Sequence, residues 1–126
     1  MLVDVKVPNL PPYKMGVYDN GCPFLSEEIK KTGIYDRCET TLFCQIINLG
    51  DTVLDIGANI GYYTLLASKL VGPDGQVYAF EPEARNFELL KWNINKFGHD
   101  NTTCANTGVS NFKGEATLYL CSNNPG

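Results

Sequence analysis

The spacing of apolar and polar residues predicts short strands near the N-terminus of the chain. Apolar residues alternate with polar ones at Val3, Val5 and Val7, and a second segment rich in apolar residues spans residues 13–18, with prolines between the two. This pattern predicts a hairpin or two edge strands. Ser26 then has the character of a helix N-cap, with acidic residues after it, two lysines in the last turn and Gly33 beyond them. A short helix is therefore predicted over residues 26–32.

A second helix is predicted between Asp36 and Gly50. Asp36 and Glu39 have the spacing of a capping box, in which the first side chain bonds the backbone three residues later. The apolar residues that follow at helical spacing are Leu42, Phe43, Ile46, Ile47 and Leu49. We expect these residues to share one face of the helix, which Gly50 ends.

From residue 51 onward, short apolar strands alternate with helices. The predicted strands are residues 52–56, 76–80 and 102–106, and the predicted helices run from the turn at residues 57–61 to about Leu70 and over residues 83–97. A turn at Lys113 and Gly114, a last strand at residues 115–120 and a loop at residues 122–126 complete the prediction.

This alternation predicts an α/β fold with a Rossmann-like, doubly wound parallel sheet, because strands joined by helices form parallel sheets with right-handed crossovers. We expect residues 1–126 to form a single, partial domain. Within it, residues 1–50 would supply the hairpin and the first helices. Residues 51–126 would supply a β-α-β-α-β half that binds a cofactor, with the sheet truncated after about its third core strand.

Composition and charge narrow the possible functions. The chain carries 10 Lys+Arg and 14 Asp+Glu, a net charge of −4. Nucleic acid is therefore not an expected partner, because its phosphates need basic residues to neutralise them. No apolar stretch approaches the roughly 18 residues of a membrane span, and the first residues lack a signal-peptide pattern. The 5 cysteines contain no Cys-x-x-Cys pair, so we expect reduced thiols in a cytoplasmic protein, with no metal site and no membrane contact.

The residues around the first core turn predict a nucleoside-containing ligand. In an open α/β sheet, ligands bind beyond the carboxyl ends of the strands, where a glycine turn meets a helix N-terminus. Gly57 and Gly61 lie in that turn. Glu81 follows the next strand, where a carboxylate can accept hydrogen bonds from both ribose hydroxyls.

The spacing of the turn separates two classes of nucleoside cofactor. The dinucleotide fingerprint is Gly-x-Gly-x-x-Gly, whereas residues 57–61 read Gly-Ala-Asn-Ile-Gly and lack the middle glycine. A pyrophosphate then fits less well over the helix N-terminus, which disfavours a nicotinamide-dependent dehydrogenase. Asp55, at the end of the first strand, favours a ligand with an ammonium group. S-adenosylmethionine carries both an ammonium group and a ribose.

The same segments resemble a known family. Residues 53–64, Val-Leu-Asp-Ile-Gly-Ala-Asn-Ile-Gly-Tyr-Tyr-Thr, and residues 77–82, Val-Tyr-Ala-Phe-Glu-Pro, are similar to the FkbM family of class I S-adenosylmethionine-dependent methyltransferases. The resemblance includes Gly-Ile-Tyr-Asp at residues 33–36, Asn-Phe-Glu-Leu-Leu at residues 86–90 and the Gly-Glu turn at residues 114–115, and it covers roughly residues 13–122. In that fold the fourth and later strands carry substrate contacts and any base, so no catalytic base is assigned.

The resemblance implies roles for individual residues. The residues implied to wrap the methionine part of the cofactor are Gly57, Ala58, Asn59 and Gly61. Asp55 is implied near the ammonium group, Glu81 on the ribose hydroxyls and Pro82 beside the adenine. The residues implied to close over the base are Asn106 and Thr107, and those implied to border the methyl-transfer site are Tyr35 and Glu39.

The expected function is S-adenosylmethionine-dependent methylation of an oxygen, in a hydroxyl of a small molecule or a sugar. The alternative is a truncated, non-catalytic module for nucleoside binding or association, because a sheet of three strands leaves an exposed edge. The same edge predicts low stability or self-association of the chain.

Overall fold

The computed structural model describes residues 1–20 and 23–119, which form two sheets and four helices. In chain order the elements are β1 (Leu2–Val5), β2 (Tyr13–Gly16), α1 (Pro23–Thr32), α2 (Arg37–Ile46), β3 (Thr52–Ile56), α3 (Tyr62–Leu70), β4 (Gln76–Phe80), α4 (Ala84–Phe97) and β5 (Thr102–Ala105). β1 and β2 pair antiparallel, and β3, β4 and β5 form a parallel sheet in that order. The predicted hairpin and the predicted α/β fold are confirmed. No helix of the described residues is long and apolar enough to cross a membrane.

The parallel sheet brings the carboxyl ends of its strands together. β3 and β4 pair in register along their whole length, so the residues that follow them lie side by side. Val77 and Ala79 in the central strand are fully buried, whereas Tyr78 between them is 38% exposed, so the described helices bury one face of this sheet. Helix α3 packs against this strand, and α4 packs against β5, with Leu65 and Leu90 fully buried in the core.

The N-terminal hairpin packs closely against α4. Val5 and Met15 from its two strands are fully buried. A Cβ at Gly16 would come within 2.7 Å of the Trp92 ring. Glycine at this position therefore lets the hairpin approach the helix.

Helix α1 begins earlier than the sequence pattern predicts. It starts at Pro23, so Ser26 lies inside the helix and does not cap it, and the first turn has no acidic residue. Ser26 is fully buried, and its hydroxyl has no hydrogen-bond partner among the described residues. Proline favours the first helical position, because its φ is already helical and it has no N–H to satisfy. Gly33 follows the helix as predicted, with a φ of +77°.

Helix α2 begins as predicted and ends earlier. Asp36 Oδ1 accepts a hydrogen bond from the Glu39 amide at 3.0 Å, which is one half of a capping box. The helix ends at Ile46, so Leu49 lies in the turn beyond it. Leu42, Phe43 and Ile46 line one groove, although this face of the helix is not buried. Phe43 packs against the core, whereas Ile46 and Leu49 are exposed.

The chain after β5 also differs from the prediction. β5 ends at Ala105, and residues 115–119 form no strand, although alternation predicted one at residues 115–120. Alternation produces a strand only where a neighbouring strand supplies the ladder of hydrogen bonds. No such neighbour pairs with this segment in the described parts of the chain. Leu120 and the predicted loop at residues 122–126 lie outside the described residues.

One edge of the parallel sheet carries exposed apolar side chains. Among the residues that the structure describes, no strand pairs with β3 on the side away from β4. Leu54 and Ile56 of β3 are 61% and 60% exposed. A groove of about 350 Å³, here called the edge groove, lies between this strand and α2. Its lining residues are Glu39, Leu42, Phe43, Ile46, Val53, Leu54, Asp55 and Tyr63.

Candidate cofactor site

The turn between β3 and α3 has left-handed backbone at alternate residues. The φ angles of Gly57, Asn59 and Gly61 are +83°, +51° and +93°. Asparagine is one of the few residues besides glycine that adopts this conformation routinely. Asn59 therefore keeps a glycine-like backbone at the position where the sequence lacks a glycine.

The residues of this turn have different surroundings. A Cβ at Gly61 would come within 2.7 Å of Leu90 Cδ1, so Gly61 allows α4 to pack closely. A Cβ at Gly57 would meet no described atom within 4 Å, so that face of the turn is open. The side chain of Ala58 lies in the hydrophobic core. Gly57 is thus the position where the backbone can approach a ligand closely.

Glu81 connects this turn to the end of β4. Although it is charged, it is only 5% exposed. Its Oε2 accepts a hydrogen bond from the Asn59 amide at 2.7 Å, and its Oε1 accepts one from the Glu83 amide at 2.9 Å. A carboxylate offers about four acceptor positions, so these two bonds leave acceptor capacity. The carboxylate is therefore fixed beside the turn and can still accept hydrogen bonds from a ligand.

Asp55 is a second carboxylate near the turn. Its Oδ2 accepts a hydrogen bond from Thr64 Oγ1 in the first turn of α3. Burial raises the pKa of Asp55 above its ordinary value, the bond from Thr64 opposes this rise, and the negative charge of Glu81 adds to it. Two neighbouring carboxylates favour a cationic ligand group and disfavour a phosphate.

Pro82 and the loop after β5 form another side of the site. Asn106 Nδ2 donates hydrogen bonds to the carbonyl oxygens of Glu81 and Pro82 at 2.8 and 3.2 Å. Pro82 and Thr107 line a cavity of about 550 Å³ together with residues of the following segment, including Phe112. The structure thus brings together Pro82, Asn106 and Thr107.

Tyr35 and Glu39 lie around the first residues of α3. The ring of Tyr35 packs edge-on against Tyr62 and Tyr63, with centroids 5.8 and 6.3 Å apart. The Tyr63 hydroxyl donates a long hydrogen bond of 3.4 Å to Glu39 Oε2. Burial raises the pKa of Tyr63 to about 12, so this phenol is protonated at neutral pH. Glu39, Tyr63 and Asp55 line the same edge groove.

Asn93 holds the turn in place and was missed by the sequence prediction. It is fully buried in α4. Its Nδ2 donates to the carbonyl oxygens of Ile60 and Gly16 at 2.8 and 3.0 Å, and its Oδ1 accepts from the Gly16 amide at 2.6 Å. The sequence contains one signal for this role. Asn93 lies three residues after Leu90, on the apolar face of the helix, and a buried polar side chain needs hydrogen-bond partners.

Comparison with known proteins identifies the family. Residues 55–126 match the methyltransferase FkbM domain. The chain is 40% identical over 78 residues to a probable cobalt-precorrin-6B C(15)-methyltransferase (decarboxylating) of Saccharolobus solfataricus, covering 62% of this chain and 36% of that protein. It is 32% identical over 79 residues to a protein-L-isoaspartate O-methyltransferase of Methanococcus maripaludis, covering 63% and 34%. The chain spans about a third of the length of these curated relatives.

Solved structures with a similar fold are also methyltransferases. A SAM-dependent methyltransferase of Aquifex aeolicus is 30% identical with a TM-score of 0.51, covering 64% of this chain and 46% of that one. A SAM-dependent O-methyltransferase of Thermotoga maritima shares the fold at 20% identity with a TM-score of 0.55, covering 76% and 36%. The open turn at Gly57 and the fixed carboxylate of Glu81 fit S-adenosylmethionine. The chain therefore belongs to the methyltransferase FkbM domain family, with the class I methyltransferase fold and S-adenosylmethionine as its cofactor.

Proposed function

We propose that this chain holds S-adenosylmethionine against the turn at residues 57–61 and is the cofactor-binding part of a methyltransferase. The observation that carries the proposal is the hydrogen bond from the Asn59 amide to Glu81, because it fixes an acceptor for ribose hydroxyls beside an open turn. In this proposal Glu81 accepts the ribose hydroxyls and Pro82 lies beside the adenine. The residues assigned to the methionine part are Gly57, Ala58, Asn59 and Gly61.

The charge of the site supports this cofactor over a dinucleotide. The carboxylates of Asp55 and Glu81 interact with each other in a partly buried site. An ammonium group is attracted to such a site, whereas a pyrophosphate is repelled. We therefore assign Asp55 to the ammonium group of the cofactor. Tight binding of a reduced nicotinamide dinucleotide in a fluorescence titration would contradict this assignment.

The proposed reaction is the transfer of a methyl group by in-line displacement, in which the acceptor lies opposite the bond that breaks. The bound cofactor supplies an electrophilic methyl group on its sulfonium. The contribution of this chain is to hold the cofactor in one orientation, and alignment and proximity lower the barrier of such displacements. Glu39 and Tyr35 are proposed to border the methyl-transfer site, because Glu39 lines the same groove as Asp55.

We further propose that the acceptor is an oxygen, in a hydroxyl of a small molecule or a sugar. The names of two relatives, both protein-L-isoaspartate O-methyltransferases, support an oxygen acceptor. A methyl ether formed on a hydroxyl is stable in mild base, whereas a methyl ester formed on a carboxylate releases methanol. Transfer of a labelled methyl group to a panel of acceptors, followed by base treatment, tests this proposal. Base-labile product alone would contradict the hydroxyl acceptor.

Calorimetric titration with S-adenosylhomocysteine tests the cofactor site. We expect saturable binding by the chain. Glu81→Gln should weaken it by about 10- to 150-fold, because hydrogen bonds to a charged group contribute about 1.5 to 3 kcal/mol. Glu88→Gln, at an exposed position of α4, is the matched control and should bind like the wild type. Absence of binding by the folded wild-type chain, or equal binding by Glu81→Gln, would refute the assigned site.

The alternative function as an association module has its own structural support. In the described part of the chain no strand pairs with the outer side of β3, which carries the exposed Leu54 and Ile56. An antiparallel pairing of two copies centred on Leu54 would place Leu54 opposite its counterpart and Ile56 opposite Thr52, so no like charges would face each other. We propose that isolated chains associate along this edge. We also propose a reducing, cytoplasmic compartment, which is supported by the absence of disulfides among the described cysteines, Cys38, Cys44 and Cys104.

A further inference from the structure

We propose that Asn106 is a positioning residue that orients Glu81 toward the ribose of the cofactor, without itself needing to touch the cofactor. Its side-chain amide holds the backbone of Glu81 and Pro82, the two residues assigned to the ribose and the adenine. This inference rests on the proposed function, because it concerns how the chain orients a nucleoside that binds there.

The end of the parallel ladder explains why a side chain is needed at this position. The Glu81 amide donates to the Ala105 carbonyl at 3.1 Å, which continues the pairing of β4 with β5. By the alternation of a parallel ladder, the next donor to the Glu81 carbonyl would be the Thr107 amide. The chain turns here, and that amide donates to the Ala105 carbonyl at 3.0 Å instead.

The amide of Asn106 takes the place of the missing ladder donor. Its Nδ2 lies 2.8 Å from the Glu81 carbonyl oxygen and 3.2 Å from the Pro82 carbonyl oxygen. An amide nitrogen carries two hydrogens, so it can satisfy both carbonyls. The Asn106 side chain thus continues the hydrogen bonding of the sheet for two residues beyond β4, through the two residues assigned to the ligand.

This backbone anchor affects the carboxylate that the proposal assigns to the ribose. The Glu81 amide is held by Ala105 and its carbonyl by Asn106, while its side chain bonds the amides of Asn59 and Glu83. Glu81 is therefore restrained at its backbone and at its carboxylate. Removing the Asn106 amide removes one of these restraints. The carboxylate is then less fixed in position before the ligand binds.

The position of Asn106 makes the inference testable without unfolding the protein. Asn106 is exposed and follows the last residue of β5. Substitution there removes the two donor contacts and leaves the buried core unchanged. A purely structural role would lower the affinity for every ligand of the site equally. A role through Glu81 lowers the affinity only for ligands that carry ribose hydroxyls.

The test compares two ligands on two variants by calorimetry. Asn106→Ala should bind S-adenosylhomocysteine about 3- to 10-fold more weakly than the wild type, as expected for lost neutral hydrogen bonds. The affinity of Asn106→Ala for the 2′,3′-dideoxy analogue of S-adenosylhomocysteine, which lacks both ribose hydroxyls, should change by less than about twofold. Asn106→Asp keeps the shape but removes the donors, so it should weaken S-adenosylhomocysteine binding further. Asn111→Ala, an exposed asparagine in the following loop, is the matched control and should bind both ligands like the wild type.

The possible results separate this inference from the function on which it rests. Equal weakening of both ligands, or no weakening of either, would overturn the positioning role while the cofactor site stands. A wild-type chain that is folded but does not bind S-adenosylhomocysteine would overturn the proposed function itself. Melting temperatures of all variants show whether each result comes from a folded protein.

Discussion

Asn59 contributes to the site mainly through its backbone. Its left-handed conformation, with a φ of +51°, turns its amide toward Glu81. The side chain stabilises the same turn, because Asn59 Oδ1 accepts a hydrogen bond from the Ile60 amide at 2.8 Å. The residue thus combines a glycine-like backbone conformation with a local hydrogen bond that a glycine could not make.

Substitutions at Asn59 should separate these two contributions. Asn59→Gly keeps the left-handed backbone, so we expect the free energy of unfolding and the affinity for S-adenosylhomocysteine to change by less than about 1 kcal/mol. Asn59→Val should lose about 1 to 3 kcal/mol of stability, because a β-branched residue is strained at positive φ. Urea unfolding and calorimetry measure the two effects. Equal stability of the two variants would show that the conformation is not required.

The stability contributed by Asp55 should depend on pH. Burial raises its pKa in the folded chain above the ordinary value of 3.8. Its contribution to stability is therefore complete below pH 3.8 and is lost as the pH rises through the folded pKa. We expect Asp55→Asn to gain stability relative to the wild type as the pH increases from 4 toward 7. Urea unfolding across this range measures the difference, with Asp74→Asn on the surface as the matched control. A difference that stays constant or shrinks would contradict the burial of this carboxylate.

Helix α4 joins parts of the chain that are distant in sequence. Asn93 bonds Ile60 in the turn and Gly16 in the hairpin, and Leu90 packs against Gly61. The position of the cofactor turn therefore depends on this helix as well as on β3. An element that lies outside the glycine motif thus determines the geometry of the motif.

Asn93→Leu should destabilise the chain by about 2 to 4 kcal/mol. Leucine has a similar volume, but it leaves the Gly16 amide and two carbonyls buried without partners. Asn95→Leu, at an exposed position of the same helix, is the control and should change stability by less than about 0.5 kcal/mol. Chemical denaturation followed by circular dichroism measures both. A similar loss in the two variants would show that the buried network adds nothing specific.

Sequence patterns predicted the elements whose signals are local. β3 and β4 are short runs of apolar residues between breakers, and both form as predicted. The start of α1 was missed because Ser26 resembles a cap, while Pro23 already occupies a first helical turn. The strand at residues 115–120 was predicted from alternation alone. Alternation does not reveal whether a neighbouring strand is present to pair with it.

In the candidate site, too, the sequence predicts the residues with local signals and misses the roles that depend on contacts across the fold. Asp55, Gly57 and Glu81 belong to short motifs, so the sequence indicates them directly. The roles of Asn93 and Asn106 depend on contacts across the fold, where Asn93 meets Gly16 and Asn106 meets the end of β4. A sequence pattern does not show that these pairs of residues are close in space. The contacts of Asn93 and Asn106 become visible only once the helices and the sheet have been placed.

Among the described residues, one face of the parallel sheet is buried, with Val77 and Ala79 at its centre, while Leu54, Ile56 and Tyr78 are exposed. β5 and β3 are its outer strands, and β3 carries the edge groove. Unpaired strand edges with apolar side chains promote pairing with another chain. The same surface is thus the source of the predicted low stability and of the predicted association.

Leu54→Lys should reduce self-association of the chain. A charged side chain on an edge strand opposes pairing with a second copy. We expect light scattering to show a concentration-dependent increase in mass for the wild type and a monomer for Leu54→Lys. Leu118→Lys, at an exposed leucine outside β3, is the matched control and should associate like the wild type. A monomeric wild-type chain with a sharp melting transition would contradict both the association and the low stability.

The contact between Gly16 and Trp92 gives the protein an optical reporter. Trp92 is the single tryptophan of the chain, and its ring packs edge-on against Phe97 at 5.7 Å. The hairpin contacts part of this ring, while Trp92 as a whole remains 41% exposed. Departure of the hairpin from α4 would shift the tryptophan emission to longer wavelength while the circular dichroism of the helices persists. Fluorescence therefore follows the N-terminal segment separately from the rest of the chain.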